Sequence, residues 1–239
     1  MNDACIDHIL CIHSLSRNFG GVRALQDIEL HITRGNITGL IGPNGSGKTT
    51  LFQAISGMDH GSTGKIYFNR KSILGKRPSK IYQSGLARTF QLSRPFPELT
   101  VAENLMAAGR PDVPDLRKRA NQLLTQVNLE CYQNVLAREL SYGQQRLIEF
   151  LRVLMSDPAL ILLDEPAAGI NPTLRQTLWG MVRELNAKGT TFLIIEHDMA
   201  VVADLCTDIY VLNEGENIAY GDLGSLRQNE RVLEAYFGT

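Results

Sequence analysis

One stretch of this chain has the residue types and spacing to hold a polyphosphate: Gly42-Pro43-Asn44-Gly45-Ser46-Gly47-Lys48-Thr49. It satisfies the phosphate-loop pattern G-x-x-x-x-G-K-[ST] at every fixed position. Gly42, Gly45 and Gly47 let the backbone come close enough for successive N–H groups to wrap a pyrophosphate. Lys48 supplies a mobile cation for the outer phosphates, and the Thr49 hydroxyl is placed to ligate Mg2+. The apolar residues 37–41 before the loop predict a strand, and residues 49–55 after it predict the start of a helix. That context turns a pattern into a mechanism, because the helix start brings its positive dipole end to the same spot. The stretch is therefore read as a nucleotide site rather than as a glycine-rich turn with a surface lysine.

Two strand ends carry further chemistry. Leu160-Ile161-Leu162-Leu163-Asp164-Glu165 is a continuous apolar run ending in two carboxylates. Such a run marks a strand of a parallel sheet buried on both faces, with its acids emerging at the C-terminal edge where α/β sheets bind ligands. Asp164 suits holding Mg2+, through water, and Glu165 could polarise an attacking water. Thr191-Phe192-Leu193-Ile194-Ile195 is a second run of this kind, followed by Glu196-His197-Asp198. If the two strands are neighbours, His197 lands beside Asp164, placed to contact a γ-phosphate. His8, His13, His31 and His60 have no such setting and are assigned no role.

Other residues are ambiguous by themselves. Phe19, beside Gly20-Gly21, could stack on an adenine ring or pack into the turn. Gln91, in Arg88-Thr89-Phe90-Gln91 before a loop with Pro95 and Pro97, could reach a metal or a water, or be a surface amide. Ser141, in Leu140-Ser141-Tyr142-Gly143-Gln144-Gln145, can cap a helix whose N–H groups Gly143 leaves uncovered. That end is an anion site or an ordinary cap.

The elements that must position these residues follow from periodicity. Residues 8–34 predict β structure, with Ile28, Leu30 and Ile32 alternating with Glu29, His31 and Thr33. A turn is expected at Gly61-Ser62-Thr63-Gly64 and a short strand at residues 65–69. From Thr100 to about Leu140 the pattern is helical, with Asp115 as a cap and Leu116, Ala120, Leu123, Leu124 and Val127 on one face. Arg117, Lys118, Arg119 and Gln122 read as its solvated face. Leu147, Ile148, Leu151, Leu154 and Met155 mark another helix, and Asn171-Pro172 caps and starts a third, followed by Gly189. Residues 211–220 predict a closing hairpin around Gly215, and residues 232–237 a final helical turn.

Composition bounds the answer. At 239 residues, with 44% hydrophobic and 21% charged residues, the chain has the profile of an ordinary globular protein with a substantial core. A net charge of −1 gives no electrostatic footprint for nucleic acid or an anionic membrane. No stretch approaches the ~18 consecutive apolar residues of a membrane helix, and Met1-Asn2-Asp3 lacks the lead of a secretory signal. Cys5, Cys11, Cys131 and Cys206 form no C-x-x-C pair and are expected to be reduced, mostly buried thiols.

Taken in order, the phosphate loop, Gln91, Ser141-Tyr142-Gly143-Gln144, Asp164-Glu165 and His197 resemble the motifs of ATP-binding-cassette ATPases. The likeness spans Phe19 to Phe237. It implies a head-to-tail dimer with two ATP molecules sandwiched between subunits. Residue by residue, Phe19 matches the adenine-stacking aromatic, residues 42–49 the Walker A loop, Gln91 the Q-loop, and Asp164 the Walker B aspartate. Glu165 matches the catalytic glutamate and His197 the switch histidine, while Ser141 and Gly143 match the signature that reaches ATP on the opposite subunit. The resemblance raises Phe19 and Gln91 to site residues. Leu140-Ser141-Tyr142-Gly143-Gln144-Gln145-Arg146, the stretch from Asp164 through Ala167-Ala168-Gly169-Ile170-Asn171 to Pro172, Ile195-Glu196-His197-Asp198-Met199 and Glu234-Ala235-Tyr236-Phe237-Gly238 look like the ATPase subunits of branched-chain amino-acid importers. The insert between Gln91 and Ser141 is shorter than in many of them. Two positions depart from the wider family: Tyr142 replaces the usual first glycine of the signature pair, so its backbone is either not left-handed or strained, and Asn171 stands where Asp is common.

The expected fold is α/β: a phosphate-loop NTPase core with a mostly parallel sheet, an N-terminal antiparallel β subdomain and an inserted α-helical subdomain. A single domain is expected over residues 1–239, its nucleotide-binding core at about 1–90 and 158–239 and its helical part at about 91–157. Nucleotide contacts are expected from Phe19, Gly42, Pro43, Asn44, Gly45, Ser46, Gly47, Lys48, Thr49, Thr50, Ser141, Gly143 and Gln144. Thr49, Gln91 and Asp164 are the metal set; Lys48, Gln91, Glu165 and His197 are the catalytic set. The implied cofactors are ATP and Mg2+. The implied partners are transmembrane permease subunits, a second ATPase subunit and, indirectly, a periplasmic or surface solute-binding protein, with no nucleic acid. The expected location is the cytoplasmic face of the cell membrane, held through the permease. Rival readings are a lipid or lipopolysaccharide exporter ATPase, a cassette ATPase of DNA repair or translation, and a metabolic phosphate-loop kinase. The repair and translation ATPases tend to carry coiled-coil inserts, paired cassettes or basic surfaces that this chain lacks, and a kinase has no use for the signature helix.

Overall fold

A computed structural model of the chain describes residues 5, 7–89, 95–110 and 114–237. Alternating apolar and polar residues build the first sheet. Strand β1 (His8–Phe19) turns at Gly20-Gly21 into β2 (Val22–Thr33), with Gly20 at φ 56°, as a tight hairpin requires. Ile28, Leu30 and Ile32 are fully buried, while Glu29 is exposed and His31 and Thr33 lie at the edge of solvent. Strands β3 (Ile37–Ile41), β4 (Thr63–Phe68) and β5 (Lys71–Ser72) and helix α1 (Lys48–Ile55) follow. The antiparallel sheet runs β2-β1-β4-β5. The turn before β4 is shorter than expected, since Thr63 and Gly64 already belong to the strand. The Asp59 carboxylate makes that turn by accepting from the Gly61 and Ser62 amides and the Ser62 hydroxyl.

The chain continues through α2 (Pro78–Gln83), β6 (Leu86–Arg88), α3 (Val101–Ala108), α4 (Leu116–Gln126) and two short 3-10 turns, Glu130–Tyr132 and Ala137–Glu139. Then come α5 (Tyr142–Leu154), β7 (Leu160–Asp164), α6 (Pro172–Ala187), β8 (Thr191–Ile195) and α7 (Met199–Leu205). Strands β9 (Asp208–Asn213) and β10 (Glu216–Gly221) and helices α8 (Leu223–Leu226) and α9 (Glu230–Phe237) close the chain. The second sheet has the order β10-β9-β3-β8-β7-β6, parallel throughout except for the β9–β10 hairpin. Glu214 and Gly215 turn that hairpin with φ of 46° and 82°.

The unbroken apolar runs of β7 and β8 follow from their place in this sheet. Leu160, Leu162, Leu193 and Ile195 point into a core shared with α1 and the antiparallel sheet. Ile161, Leu163, Phe192 and Ile194 point the other way, into a core shared with α3, α4, α5 and α6. Both faces are covered, so alternation disappears. Strands β3, β8 and β7 are consecutive neighbours with Leu40 opposite Ile195 and Asp164 opposite Ile195, so their C-terminal ends meet at one edge.

The cysteines differ from expectation. Cys5 folds back onto β1 and is disulfide-bonded to Cys11, with Cα atoms 6.4 Å apart. Spacing rules look for C-x-x-C and miss a pair made by a reversal of the chain just before a strand. Cys131 is exposed and Cys206 half-buried, and both are free. Among the described residues, no helix is long and apolar enough to cross a membrane.

Candidate active site

The phosphate loop leaves β3 and enters α1 through backbone that only glycine tolerates. Gly42 has φ 151°, and a Cβ there would come within 2.1 Å of the Leu212 carbonyl oxygen. Gly47, at φ 103°, would meet the Ala24 carbonyl oxygen at 2.5 Å. Gly45 is left-handed with open space around it. Among the described residues, no side chain caps α1, so its first N–H groups remain available to an anion. Pro43 and Asn44 line the loop, Ser46 is buried beneath it, and Thr49 and Thr50 stand on the first turn of α1, Thr49 exposed.

The Lys48 side chain curls back over this loop. Its Nζ donates to the carbonyls of Gly42 and Pro43 at 2.7 and 2.8 Å and approaches Ser46 Oγ at 3.3 Å. Burial pushes its pKa down, and the charges of Glu165 and Asp164 pull it back up, so the ammonium feels both carboxylates.

Asp164 ends β7 and is 2% exposed. Its Oδ2 accepts from Arg88 Nη2 at 3.1 Å. Burial raises its pKa, and the Arg88 guanidinium and Lys48 work against that rise. Glu165 takes φ 45°, which turns it off the strand. Its N–H bonds the Ile195 carbonyl at 3.1 Å, and its own carbonyl accepts from Arg146 Nη2 at 3.1 Å. Its Oε1 lies 2.8 Å from His197 Nε2. Strands β7 and β8 are indeed neighbours, but His197 meets Glu165 and not Asp164. The left-handed residue swings the glutamate toward β8, while Asp164, one residue earlier, faces Arg88 on β6.

Helix α5 begins in a reciprocal cap. Ser141 Oγ accepts from the Gln144 amide, and Gln144 Oε1 accepts from the Ser141 amide at 2.9 Å. Tyr142 is the first helical residue, absent from the positive-φ positions and 54% exposed, so replacing a glycine there stores no backbone strain. Gly143 lies close against α6: a Cβ there would meet Leu174 Cδ1 at 2.7 Å, so the end of that leucine side chain would have to shift. Asn171 caps α6 by accepting from the Leu174 amide at 3.0 Å. Phe19 ends β1 with 46% of its surface exposed, and the Arg17 guanidinium lies 4.0 Å from its ring centre. Gln91 lies outside the described residues.

Two residues escaped the sequence. Arg88 and Arg146 stand within stretches that the sequence singled out but were given no role there, yet one pairs with Asp164 and the other ties α5 to the Glu165 backbone. An arginine closing a short apolar strand, as in Leu86-Ala87-Arg88, is the one available hint.

A family model described as ABC transporter matches residues 25–168. The chain belongs to the ABC transporter family. The cassette is 36% identical over 250 residues to the probable branched-chain amino acid transport ATP-binding protein LivG of Methanocaldococcus jannaschii, covering 96% of this chain and 97% of that protein. It is 36% identical over 249 residues to the high-affinity branched-chain amino acid transport ATP-binding protein LivG of Escherichia coli K12, covering 96% and 98%. An ATP-binding cassette of an ABC transporter solved in its ADP conformation superposes with a TM-score of 0.87 at 35% identity, covering 97% of this chain and 99% of that one. The cassette is thus an ATP-binding ATPase of the transport type.

Proposed function

We propose that this cassette hydrolyses MgATP at a site completed by a second cassette, and that the hydrolysis drives a membrane permease importing branched-chain or related amino acids. The observation that carries the reading is the Glu165–His197 contact of 2.8 Å at the sheet edge where the phosphate loop opens. It puts a carboxylate able to orient water next to an imidazole able to hold a terminal phosphate. The names of the relatives support amino-acid import over export, DNA repair, translation or a kinase reaction.

In this reading the loop amides and Lys48 hold the phosphates. Phe19, backed by Arg17, stacks on the adenine. Ser141, Gly143 and Gln144, at an exposed helix start, reach the nucleotide of the opposing subunit. Thr49 and Asp164 offer the hard oxygen donors that Mg2+ prefers, with Gln91 as a further donor. Bound Mg2+ supplies charge neutralisation on the transferred phosphoryl group. Asp164 reaches that role only when its carboxylate is ionised, which is what Arg88 and Lys48 favour against burial. Residues 91–157 act as the helical subdomain that meets the permease, on the cytoplasmic side, and a solute-binding protein delivers substrate to the permease. The substrate itself never touches this chain.

The test is reconstitution with the permease and solute-binding protein in proteoliposomes. ATP turnover and uptake should rise together when leucine, isoleucine or valine is supplied. Turnover that responds to none of these, or that lipid or nucleic acid stimulates instead, would reject the proposal.

A further inference from the structure

Four histidines gave no motif, but three of them lie together. Strands β1 and β2 pair so that Cys11 faces His31 and Ile12 faces Leu30, which places His13 beside Glu29 on the sheet face turned away from the core. His13 Nδ1 lies 3.0 Å from Glu29 Oε2. The His13 and His31 rings are 5.2 Å apart. A register shift between His8 and Leu10 brings His8 onto the same face, where its ring stacks on His31 at 5.3 Å. One donor atom each from His13, Glu29 and His31 lies within 4.8 Å of the other two. His31 Nε2 is buried and has no hydrogen-bond partner among the described residues.

We propose that His13, Glu29 and His31 bind one divalent first-row transition-metal ion, with Zn2+ as the reference occupant. Two imidazoles and a carboxylate form a donor set that suits zinc and its neighbours, whereas Mg2+ prefers oxygen alone. Tetrahedral zinc at about 2.0–2.1 Å from nitrogen gathers its donors into a tight cluster, and His13 Nδ1 and Glu29 Oε2 already stand 3.0 Å apart. Rotamer changes of side chains on the two adjacent strands can bring the remaining donor in. A buried ring nitrogen with nothing to bond is a polar group awaiting a partner, and a metal supplies one. The water-accessible side of the cluster provides the fourth position. Cys5 Sγ lies 3.7 Å from His13 Nε2, but its disulfide to Cys11 keeps both sulfurs out of the donor set. The site shares no residue with the nucleotide site. It would clamp β1 to β2, the strands that end in the Phe19 hairpin.

The test uses the full chain, stripped with a chelator, without nucleotide and without reductant. Zn2+ is titrated in competition with a chromophoric chelator, and Co2+ is added separately to read its visible d–d bands. The expected result is one ion per chain at micromolar affinity or tighter, unaffected by millimolar Mg2+, with Co2+ bands of low-coordinate type. His31→Ala and His13→Ala should each weaken binding at least 10-fold, and the milder Glu29→Gln should weaken it while ATP affinity stays unchanged. Absence of saturable binding would overturn the proposal. So would binding that survives a His13→Ala/His31→Ala double variant whose ATP affinity shows it to be folded. Binding seen only after reduction and lost in Cys5→Ser would overturn it as well, because the ligands would then be thiolates.

Discussion

His197 Nε2 stands 2.8 Å from Glu165 Oε1, joining the ends of two neighbouring parallel strands across a single hydrogen bond. Each side chain fixes the direction of the other. Glu165→Gln should therefore keep ATP affinity within about twofold while turnover falls about 100- to 10,000-fold, the usual range for a lost general base. His197→Ala should lower turnover about 100-fold, as for a lost transition-state donor. Single-turnover hydrolysis beside equilibrium ATP binding checks both; near-parental turnover in Glu165→Gln would remove it from the chemistry.

Asp164 predicts a pH dependence. Folding raises its pKa, so the folded chain holds that proton more tightly than the unfolded chain. Stability therefore falls as pH rises from the ordinary carboxylate value of about 4 through the raised folded pKa. Without nucleotide or Mg2+, the parent should lose stability relative to Asp164→Asn as pH rises from about 4 toward 7, on top of the variant's own cost of leaving Arg88 without its counter-charge. Adding MgATP should favour the parent, which gains ligand stabilisation that the variant loses. Urea denaturation across pH measures this, and a parent–variant difference that does not move with pH contradicts it.

Arg88 is the counter-charge of that buried acid, with both side chains almost wholly enclosed. Arg88→Ala should cost about 3–5 kcal/mol at neutral pH, the range for removing one partner of a buried ion pair. The loss should shrink in an Asp164→Asn background. Additive losses in the double variant, read by urea melts, would mean that the two residues do not act as a pair.

Ser141 caps α5 and faces solvent in the single chain. Ser141→Arg should lose about 1 kcal/mol from the cap. It should leave ATP affinity of the monomer unchanged and abolish hydrolysis, because the proposed contact is made in trans. Weakened ATP binding by the isolated monomer would contradict that geometry.

Gly169 has φ 72°, and a Cβ added there would lie 3.0 Å from Tyr142 Cε1. Gly169→Ala should cost about 1–2 kcal/mol from the left-handed backbone alone. The ring adds a further steric part, which Tyr142→Ala should relieve. Thermal melts of the double-variant cycle measure that coupling.

Much of this molecule was legible in the sequence because its signals are local. The glycine pattern of residues 42–49, the apolar runs ending in Asp164-Glu165 and His197, and the caps at Asp115, Ser141 and Asn171 each depend on a few adjacent residues. What stayed hidden depends on strand register and chain reversal. Arg88 acquires its partner only because β6 lies beside β7, and His13, Glu29 and His31 meet only because β1 pairs with β2 in one register. The same holds for Cys5 and Cys11. That His197 would meet Glu165 and not Asp164 required the positive φ at Glu165, a rotation that residue identity does not announce for a glutamate.

The Lys48 ammonium already rests on the Gly42 and Pro43 carbonyls. In the proposed site, a phosphate that contacts Lys48 would therefore trade places with oxygens of the chain itself. Affinity at this position of that site is the difference between two sets of contacts to one ammonium.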